Sequence, residues 1–402
     1  MFSIGIDVSK EKSTVCIIDQ DGKIIQKPFD IQHTTKVLSE FIMQIKDLGA
    51  DAKVIMEATG NYHMPLVIAF QEATIFVSVI NPLLMKKFVS VAIRKGKTDK
   101  IDSLKIAQYG IANWTRLKKY ELNQDTYDEL KVLGRQYAHY TKIKVENKLA
   151  FASILDRIMP GIKIAIKSKN TSDLTKDKLC DFVEKYLHYD NITTKSEAKF
   201  IESYKKWAKK KGYQASETKA KQIYAIACSG IPTLPSSAAS TKMLTREAIR
   251  VLREINKTLE TILAQMRELA STLPEYETVL EMKGVGDTLG PRLIAEIGDV
   301  KRFYGSKALI AYAGIDAPPY QSGNFMGTNR HISKRGSWLL RKTGYEIIRC
   351  IKTIKPKEDT AVYDYISKKE SEGKAKKVAN IAGLNKFLRI YYARVKAVYD
   401  IM

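Results

Sequence analysis

The stretch SIGIDVSKEKSTVCIIDQDGKIIQKPF, residues 3–29, decides the fold. Residues 3–8 (SIGIDV) and 13–19 (STVCIID) are rich in Ile and Val and read as two paired strands. Asp21-Gly22 supplies a turn into a third strand, GKIIQKPF. Beyond it, Val37, Leu38, Phe41, Ile42 and Ile45 carry helical spacing over 34–48. KVIME at 53–57 reads as a buried strand, 58–72 as a turn and helix, TIFVSVI at 74–80 as a further strand, and 99–112 as a closing helix. Three consecutive strands, a helix, then strand–helix alternation predicts an RNase H-like α/β fold. A flavodoxin-like fold would alternate from the start.

Four carboxylates stand out within this segment. Asp7 lies mid-strand among apolar neighbours, where an aspartate is costly unless it is paired or binds a metal. Glu57 ends the second apolar strand, in VIMEATGNYH. Asp99 and Asp102, in GKTDKIDSLKIA, lie three apart and would share a helix face. Singly, each has a structural reading: Asp99 as a helix cap, Asp102 as a first-turn dipole partner, Glu57 as a strand-end charge. Together, two strand positions and a helix pair could converge to hold two Mg²⁺ ions, a pair that can activate a nucleophile and stabilise the leaving oxygen in phosphodiester cleavage. Lys95, Lys97 and Lys100 nearby suit a substrate phosphate. Asp19 and Asp21 read as turn residues.

From about residue 122 the character changes to long helices, with Leu130, Leu133, Tyr137, Tyr140, Phe151 and Ile154 on a 3–4 repeat that Lys144 and Asn147 interrupt. A second heptad series runs Ala248, Leu252, Ile255, Leu259, Ile262, Met266, Leu269, Leu273. These predict a hairpin of two long helices, a coiled-coil linker, around a lysine-rich, irregular segment at 168–230. VLEMKGVGDTLGPRLIAEIGD (279–299) places Gly284-Val285-Gly286 between two apolar helical pieces. That resembles a helix-hairpin-helix, whose amides can hold a phosphate. The C-terminal 70 residues read as helical, with many lysines and with tyrosines that include Tyr363, Tyr365, Tyr391 and Tyr392, either a nucleic-acid surface or a solvated basic face.

The chain has 402 residues and a formal charge of +23. Its length predicts roughly two or three domains. A chain this basic meets nucleic acid or an anionic membrane. No apolar run reaches membrane-spanning length and the N-terminus lacks signal-peptide character, which points to nucleic acid in a cytoplasmic, nucleoid-associated setting. Cys16, Cys180, Cys228 and Cys350 never form CxxC and read as reduced thiols.

The remaining candidate is Ser322, in GIDAPPYQSGNFMGTNRHISKRGSWLL (314–340). Pro318, Pro319 and Gly323 predict a tight, shaped turn rather than a helix or strand. Arg330, His331, Lys334, Arg335 and Arg341 follow. Cations beside a hydroxyl are what attack on a phosphodiester needs. The stretch by itself also reads as a polar surface turn.

These motifs in combination, GIDVSK, EATGNY, KTDKID, GVG, IAEIGD, AYAGI, QSG and ISKRG, resemble the DEDD-type insertion-sequence transposases, the bridge-RNA-guided recombinases related to a pilin-gene invertase. The resemblance covers about 3–115 and 276–350. It implies a RuvC-like domain at 1–115, a helical coiled-coil linker with a basic insertion at 116–275, and a transposase domain at 276–402. It implies that Asp7, Glu57, Asp99 and Asp102 hold Mg²⁺ and that Ser322 forms a covalent phosphoserine link to DNA. It also implies donor and target DNA, a guide RNA, and a homodimer or homotetramer in which the acidic site and the serine come from different subunits. Lys97, Gly284, Gly286, Arg330, Lys334, Arg335 and Arg341 are the candidate nucleic-acid contacts; His331 reads more readily as a phosphate contact or a structural histidine than as the proton shuttle it could also be. The segment 160–235 is long for the family, and QSG here carries one serine where some relatives have two. Two rival readings stand beside this one: a metal-dependent RuvC-like junction nuclease without a covalent step, and a nucleic-acid-binding protein whose carboxylates are structural. An invertase of the same family is the nearer variant.

Overall fold

The structure is a computed structural model and describes residues 1–90, 98–120, 125–166, 176–318, 321–322, 325–326 and 331–401, with the side chains of 125, 321–322 and 325–326 outside the description. Two compact units divide the chain, Met1–Leu122 and Asn123–Met402.

The first unit runs β1 (Phe2–Val8), β2 (Lys12–Asp19), β3 (Ile24–Gln32), α1 (Thr35–Asp47), β4 (Ala52–Glu57), α2 (Met64–Glu72), β5 (Phe76–Ile80), α3 (Pro82–Val89) and α4 (Asp99–Ala112). Its sheet has the order β3-β2-β1-β4-β5. β1 and β2, and β2 and β3, pair antiparallel, whereas β4 is parallel to β1 and to β5. This mixed sheet is the RNase H-like arrangement the strand pattern predicts. Only α3 lacks a counterpart in the sequence reading; Asn81 caps it by accepting from the Leu83 amide at 2.9 Å, with Pro82 in its first turn.

Strand alternation divides β1 between two faces. Ile4, Ile6 and Val8 join Val15, Ile17, Val54 and Met56 in a core with Leu38 and Phe41 of α1 and Leu66 and Phe70 of α2. Ser3 and Gly5 point the other way, and α4 packs across them. Ser3 Oγ donates to the Ala107 carbonyl at 2.7 Å. A Cβ at Gly5 would run into the backbone of Ser103 and Ala107, and one at Gly110 into Ser3 and Ile55. Small residues on both elements thus let helix and sheet approach backbone to backbone.

The second unit is helical: α5 (Asp125–Ile158), α6 (Ile162–Ala165), α7 (Lys178–Tyr186), α8 (Asp190–Thr193), α9 (Glu197–Lys210), α10 (Glu217–Ser229), α11 (Ala239–Ser271), α12 (Tyr276–Glu281), α13 (Leu289–Ile297) and α14 (Ser306–Ala313). The short strands β6 (Gln321–Ser322) and β7 (Phe325–Met326) follow, then α15 (Trp338–Ile354), α16 (Ala361–Ser371) and α17 (Lys376–Ile401). Tyr127, Leu130 and Tyr137 of α5 share a core with Leu259, Leu263 and Met266 of α11. Phe151, Leu155 and Ile158 share another with Ile249 and Leu252. The long helices are therefore an antiparallel hairpin, as their periodicity predicts. α11 buries Leu252, Ile255, Leu259 and Met266 of the heptad series, and beside them Thr245, Ile249, Asn256, Leu263 and Ala270, a wider stripe than the series alone. The cause is that α11 faces α13 as well as α5.

The C-terminal helix is no basic tail. α17 buries Ala379, Gly383, Leu384, Phe387, Leu388, Tyr391 and Val395 in the main core of this unit. Tyr127 and Tyr399 both donate to the fully buried Glu275, at 2.7 Å and 2.5 Å, tying α5 and α17 to the start of α12. Among the described residues no helix is long and apolar enough to cross a membrane. All four cysteines are free.

Gly5→Ala is expected to destabilise the first unit by roughly 2 kcal/mol, because the neighbouring groups are backbone and cannot turn aside. Thermal melting followed by circular dichroism measures it; an unchanged melting temperature would refute the close packing.

Candidate active site

Two acids meet by strand register. Ile6 of β1 pairs with Met56 of β4 in a parallel ladder, and Asp7 and Glu57 are the residues that follow each. Adjacent strands lie about 4.8 Å apart, so the two backbones are neighbours there. Alternation puts Asp7 on the face of Ser3 and Gly5, and Glu57 on the face of Ile55, which packs near Gly110. Both acids therefore stand on the α4 side of the sheet, at the C-terminal ends of parallel strands, and both are half-buried.

α4 runs back along that face. Gly110 lies over Ser3, and Ser103 and Ala107 lie over Gly5. One step of two strand residues, about 6.7 Å, leads from Gly5 to Asp7. One step of four helix residues, about 6 Å, leads from Ser103 to Asp99. The helix thus aligns its first turn with the sheet carboxylates. Thr98 caps it, its Oγ1 accepting from the Ile101 amide at 3.2 Å. The predicted cap was Asp99; the structure gives that role to Thr98, which leaves the exposed Asp99 side chain free of capping. Asp102 lies 3.6 Å from Lys105. Lys12, at the start of β2, has its pKa raised first by its hydrogen bond to Asp30, next by the charge of Asp30, and to a smaller degree by Asp99.

The donor set is all carboxylate oxygen, which suits a hard cation such as Mg²⁺. The shared face and the aligned helix turn bring these oxygens to one end of the sheet. Among the described residues, no three His, Cys, Asp or Glu side chains stand close enough together to form a complete ligand set. Lys95 and Lys97 lie outside the described residues, and Lys100 is exposed on α4. Sequence reasoning missed an open cleft beside this end of the sheet, lined by Ser9, Lys10, Lys12, Gln32 and His33.

Ser322 lies in β6, which pairs antiparallel with β7 in the register Gln321↔Met326 and Ser322↔Phe325. The predicted turn is therefore a short hairpin, with Ser322 in a strand at its last pair. Pro319 and Gly323, on which the predicted turn rests, lie outside the described residues. Arg330 lies outside the described residues.

The base of this excursion is closed by bonds between residues 312–316 and 333–337. The Ser333 amide donates to the Asp316 carbonyl at 2.8 Å, the Lys334 amide to the Gly314 carbonyl at 2.9 Å, and the Ser337 amide to the Tyr312 carbonyl at 2.7 Å. Ser333 Oγ also donates to the Asp316 carboxylate. Gly314 ends α14 at a φ of +64°, a region that favours glycine. Arg341 Nη1 donates to the carbonyls of Ala313 (2.9 Å), Gly336 (3.2 Å) and Ser337 (3.4 Å), so this arginine clamps the base. Lys334, Arg335 and His331 are exposed.

One buried acid escaped the sequence reading. Glu296 of α13 is 3% exposed, and its Oε2 accepts from Ser337 Oγ at 2.7 Å. Ser337 is also the cap of α15, accepting from the Leu340 amide at 3.0 Å. The other Glu296 oxygen has no hydrogen bond and lies 4.0 Å from Arg135 Nε. Nothing in the local pattern of IAEIGD separates this glutamate from a surface one.

α12, the turn 282–288 and α13 place Gly284 and Gly286 between two helices. Gly284 has a φ of +81°, and a Cβ there would strike Ile351 and the Ile347 carbonyl of α15. Its glycine is thus required by packing. Gly286 faces open space.

Residues 4–160 match the transposase family described as DEDD_Tnp_IS110, and residues 276–364 match the transposase family IS116/IS110/IS902. The chain carries IS110-type transposase domains. No curated protein matches it. Among solved structures, Thermus thermophilus RuvC in complex with a Holliday junction substrate is similar at 10% identity, covering 30% of this chain and 99% of that one, with a TM-score of 0.23. A second structure of Thermus thermophilus RuvC is similar at 12% identity over 30% and 99%, with a TM-score of 0.22. At those scores neither likeness carries weight, and the RNase H-like assignment rests on the strand order. The IS110 DEDD match begins in β1 and includes Asp7, Glu57, Asp99 and Asp102; the second match includes Ser322, Glu296 and Ser337.

Ser337→Ala removes a helix cap and leaves Glu296 buried without its donor, an expected loss of roughly 2–3 kcal/mol. Ser337→Thr keeps the hydroxyl and should lose little. Equal unfolding midpoints in urea for the alanine variant and the parent would contradict the paired role.

Proposed function

We propose that this chain is an insertion-sequence transposase that cuts and exchanges DNA strands, with Asp7, Glu57, Asp99 and Asp102 as a Mg²⁺-dependent acidic site and Ser322 as nucleophile. The observation that carries the reading is the register that sets Asp7 beside Glu57 on the α4 face, with the first turn of α4 aligned to them. Bound Mg²⁺ would neutralise the scissile phosphate and stabilise the departing oxygen. Asp7 and Glu57 are fixed by paired strands, so their backbones are preorganised. Asp99 and Asp102 belong to a helix held by Gly5 and Ser3, and would be the other two ligands if a metal were bound, Asp102 beside Lys105 at 3.6 Å.

In the covalent step Ser322 Oγ attacks phosphorus. The Oγ–P bond forms as one sugar oxygen–phosphorus bond breaks; the serine proton passes to solvent and the departing oxygen takes one up. The phosphodiester count is conserved, so a new sugar hydroxyl can reverse the step and join a different strand. Lys334, Arg335 and Arg330 hold the scissile phosphate, and Lys97 meets substrate phosphate near the acidic site. Arg341 acts from behind by clamping the base, and the Gly284–Gly286 hairpin offers backbone amides to DNA. The α5–α11 hairpin serves as the coiled-coil linker of 116–275, between the RuvC-like domain at 1–115 and the transposase domain at 276–402. A guide RNA paired with donor and target DNA supplies sequence choice, and the working form is a homodimer or homotetramer.

A second reading is a metal-dependent junction nuclease. It is favoured by one observation: all four acids lie within Met1–Leu122 and need nothing from Ser322.

A covalent-trapping assay separates them. Protein, guide RNA transcribed from the flanking DNA, donor and target DNA, and Mg²⁺ are mixed and denatured. The expected product is a protein–DNA adduct on Ser322, lost in Ser322→Ala, with cleavage abolished by Asp7→Ala or by chelating the metal. Cut DNA without an adduct would establish the nuclease; neither product would leave only binding.

A further inference from the structure

The helical module formed by α6–α10, the end of α5 and the start of α11 lies largely outside both family matches, 4–160 and 276–364. It has a core of its own, in which Phe182, Tyr186, Phe200, Tyr204 and Trp207 stack at ring distances of 4.7–6.5 Å. We infer that this module is a duplex-docking surface, and that Lys199, Lys206, Lys209 and Lys210 of α9 grip the phosphodiester backbone of double-stranded nucleic acid. The inference rests on the nucleic-acid reading above.

The inward face of α9 is fixed by Phe200, Tyr204, Trp207 and Ala208. The outward face carries Lys199, Lys206, Lys209 and Lys210, all exposed, with Glu202 among them. Lys199 and Lys210 are eleven residues apart, about 16 Å along the helix. A duplex presents roughly one charge per 1.7 Å of axis, so several phosphates fall within that span.

Ordinary solvated faces intersperse both signs. From 195 to 211 this chain has seven lysines and two glutamates. Several of the module's other acids are drawn into ion pairs. Asp181 and Glu184 each meet Arg253 at 2.7 Å, and Glu217 meets Lys205 at 2.9 Å and Lys221 at 3.2 Å. Among the described residues none of the four α9 lysines has an ion pair. Lys209 and Lys210 also complement the helix dipole, but Lys199 and Lys206 lie outside the last turn. The ridge has no exposed aromatic ring, because Phe200, Tyr204 and Trp207 all face inward. It therefore lacks the stacking platform that single strands need and is suited to backbone contact with a duplex.

The test uses the full chain in EDTA, where binding is read without cleavage. One variant changes Lys199, Lys206, Lys209 and Lys210 to Gln. A control removes the same charge from the ion-paired Lys163, Lys205, Lys211 and Lys221. A third changes the ridge lysines to Arg, which keeps the charge. Affinity for a 30-base-pair DNA duplex and for an RNA hairpin is measured across salt concentrations. The ridge variant should bind at least tenfold more weakly at low salt, with a log–log salt slope shallower by about 3–4 on one duplex or both. The duplex that shows it identifies the source. The control should shift far less, and the Arg variant should match the parent. Equal losses in ridge and control variants, or none in either, would overturn the assignment. Strand cutting assayed separately with Mg²⁺ would stand or fall on its own, so the two failures are distinguishable.

Discussion

The placement of the four carboxylates proposed as the acidic site depends on how closely α4 can approach β1. Ser3, Gly5 and Gly110 remove side chains from the contact, and Ser3 Oγ bonds the Ala107 carbonyl at 2.7 Å. Any larger residue at Gly5 would lift the helix from the sheet. The position of Asp99 and Asp102 relative to Asp7 is thus set by packing a turn and more away, not by contacts among the carboxylates. Mutual repulsion among four acids would otherwise favour their separation. Paired strands hold two of them, and a helix pinned elsewhere carries the others.

The Ser322 region solves a different problem. A hairpin with only two residues in each strand has little stability of its own. Its base is instead tied by backbone bonds between 312–316 and 333–337, by the triple contact of Arg341 Nη1, and by Ser337 joining the cap of α15 to the buried Glu296. A buried carboxylate is costly unless it is hydrogen-bonded, and that cost enforces the seating of Ser337. The cations that follow the serine in the chain consequently divide in two. Arg341 is turned to backbone carbonyls, whereas Lys334 and Arg335 remain on the surface.

This division explains what could be read from residues alone. Alternation in SIGIDV and the Ile/Val content of STVCIID mark two strands, so Asp7 stands out as an acid in an apolar strand and the first unit follows. Periodicity likewise yields the long-helix hairpin. Whether an arginine meets phosphate or carbonyls depends on a partner such as Ala313, 28 residues away, and no local pattern encodes it. Glu296 is invisible for the same reason, its donor lying 41 residues on. The lysines of the C-terminal segment disguise α17, because they occupy the outer face of a helix whose inner face is core. The α11 seam is broader than the heptad series, adding Ile249, Leu263 and Ala270, because a helix touching two partners buries a wider stripe than a two-helix heptad predicts.

The helix hairpin itself has a polar waist. Between Tyr137 and Phe151, α5 has no fully buried residue, and it is there that Lys144 and Asn147 interrupt the repeat. Burial holds the Lys144 pKa below its usual value. On α11 the seam contains Asn256, 6% exposed, with its Oδ1 unpaired. An apolar seam would have fused the two cores of this unit into one. A polar waist keeps the packing around the aromatic module separate from the packing around Glu296 and Ser337. The basic module can therefore sit at the far ends of two continuous helices and add a charged surface without altering the bonds that close the base of the Ser322 hairpin.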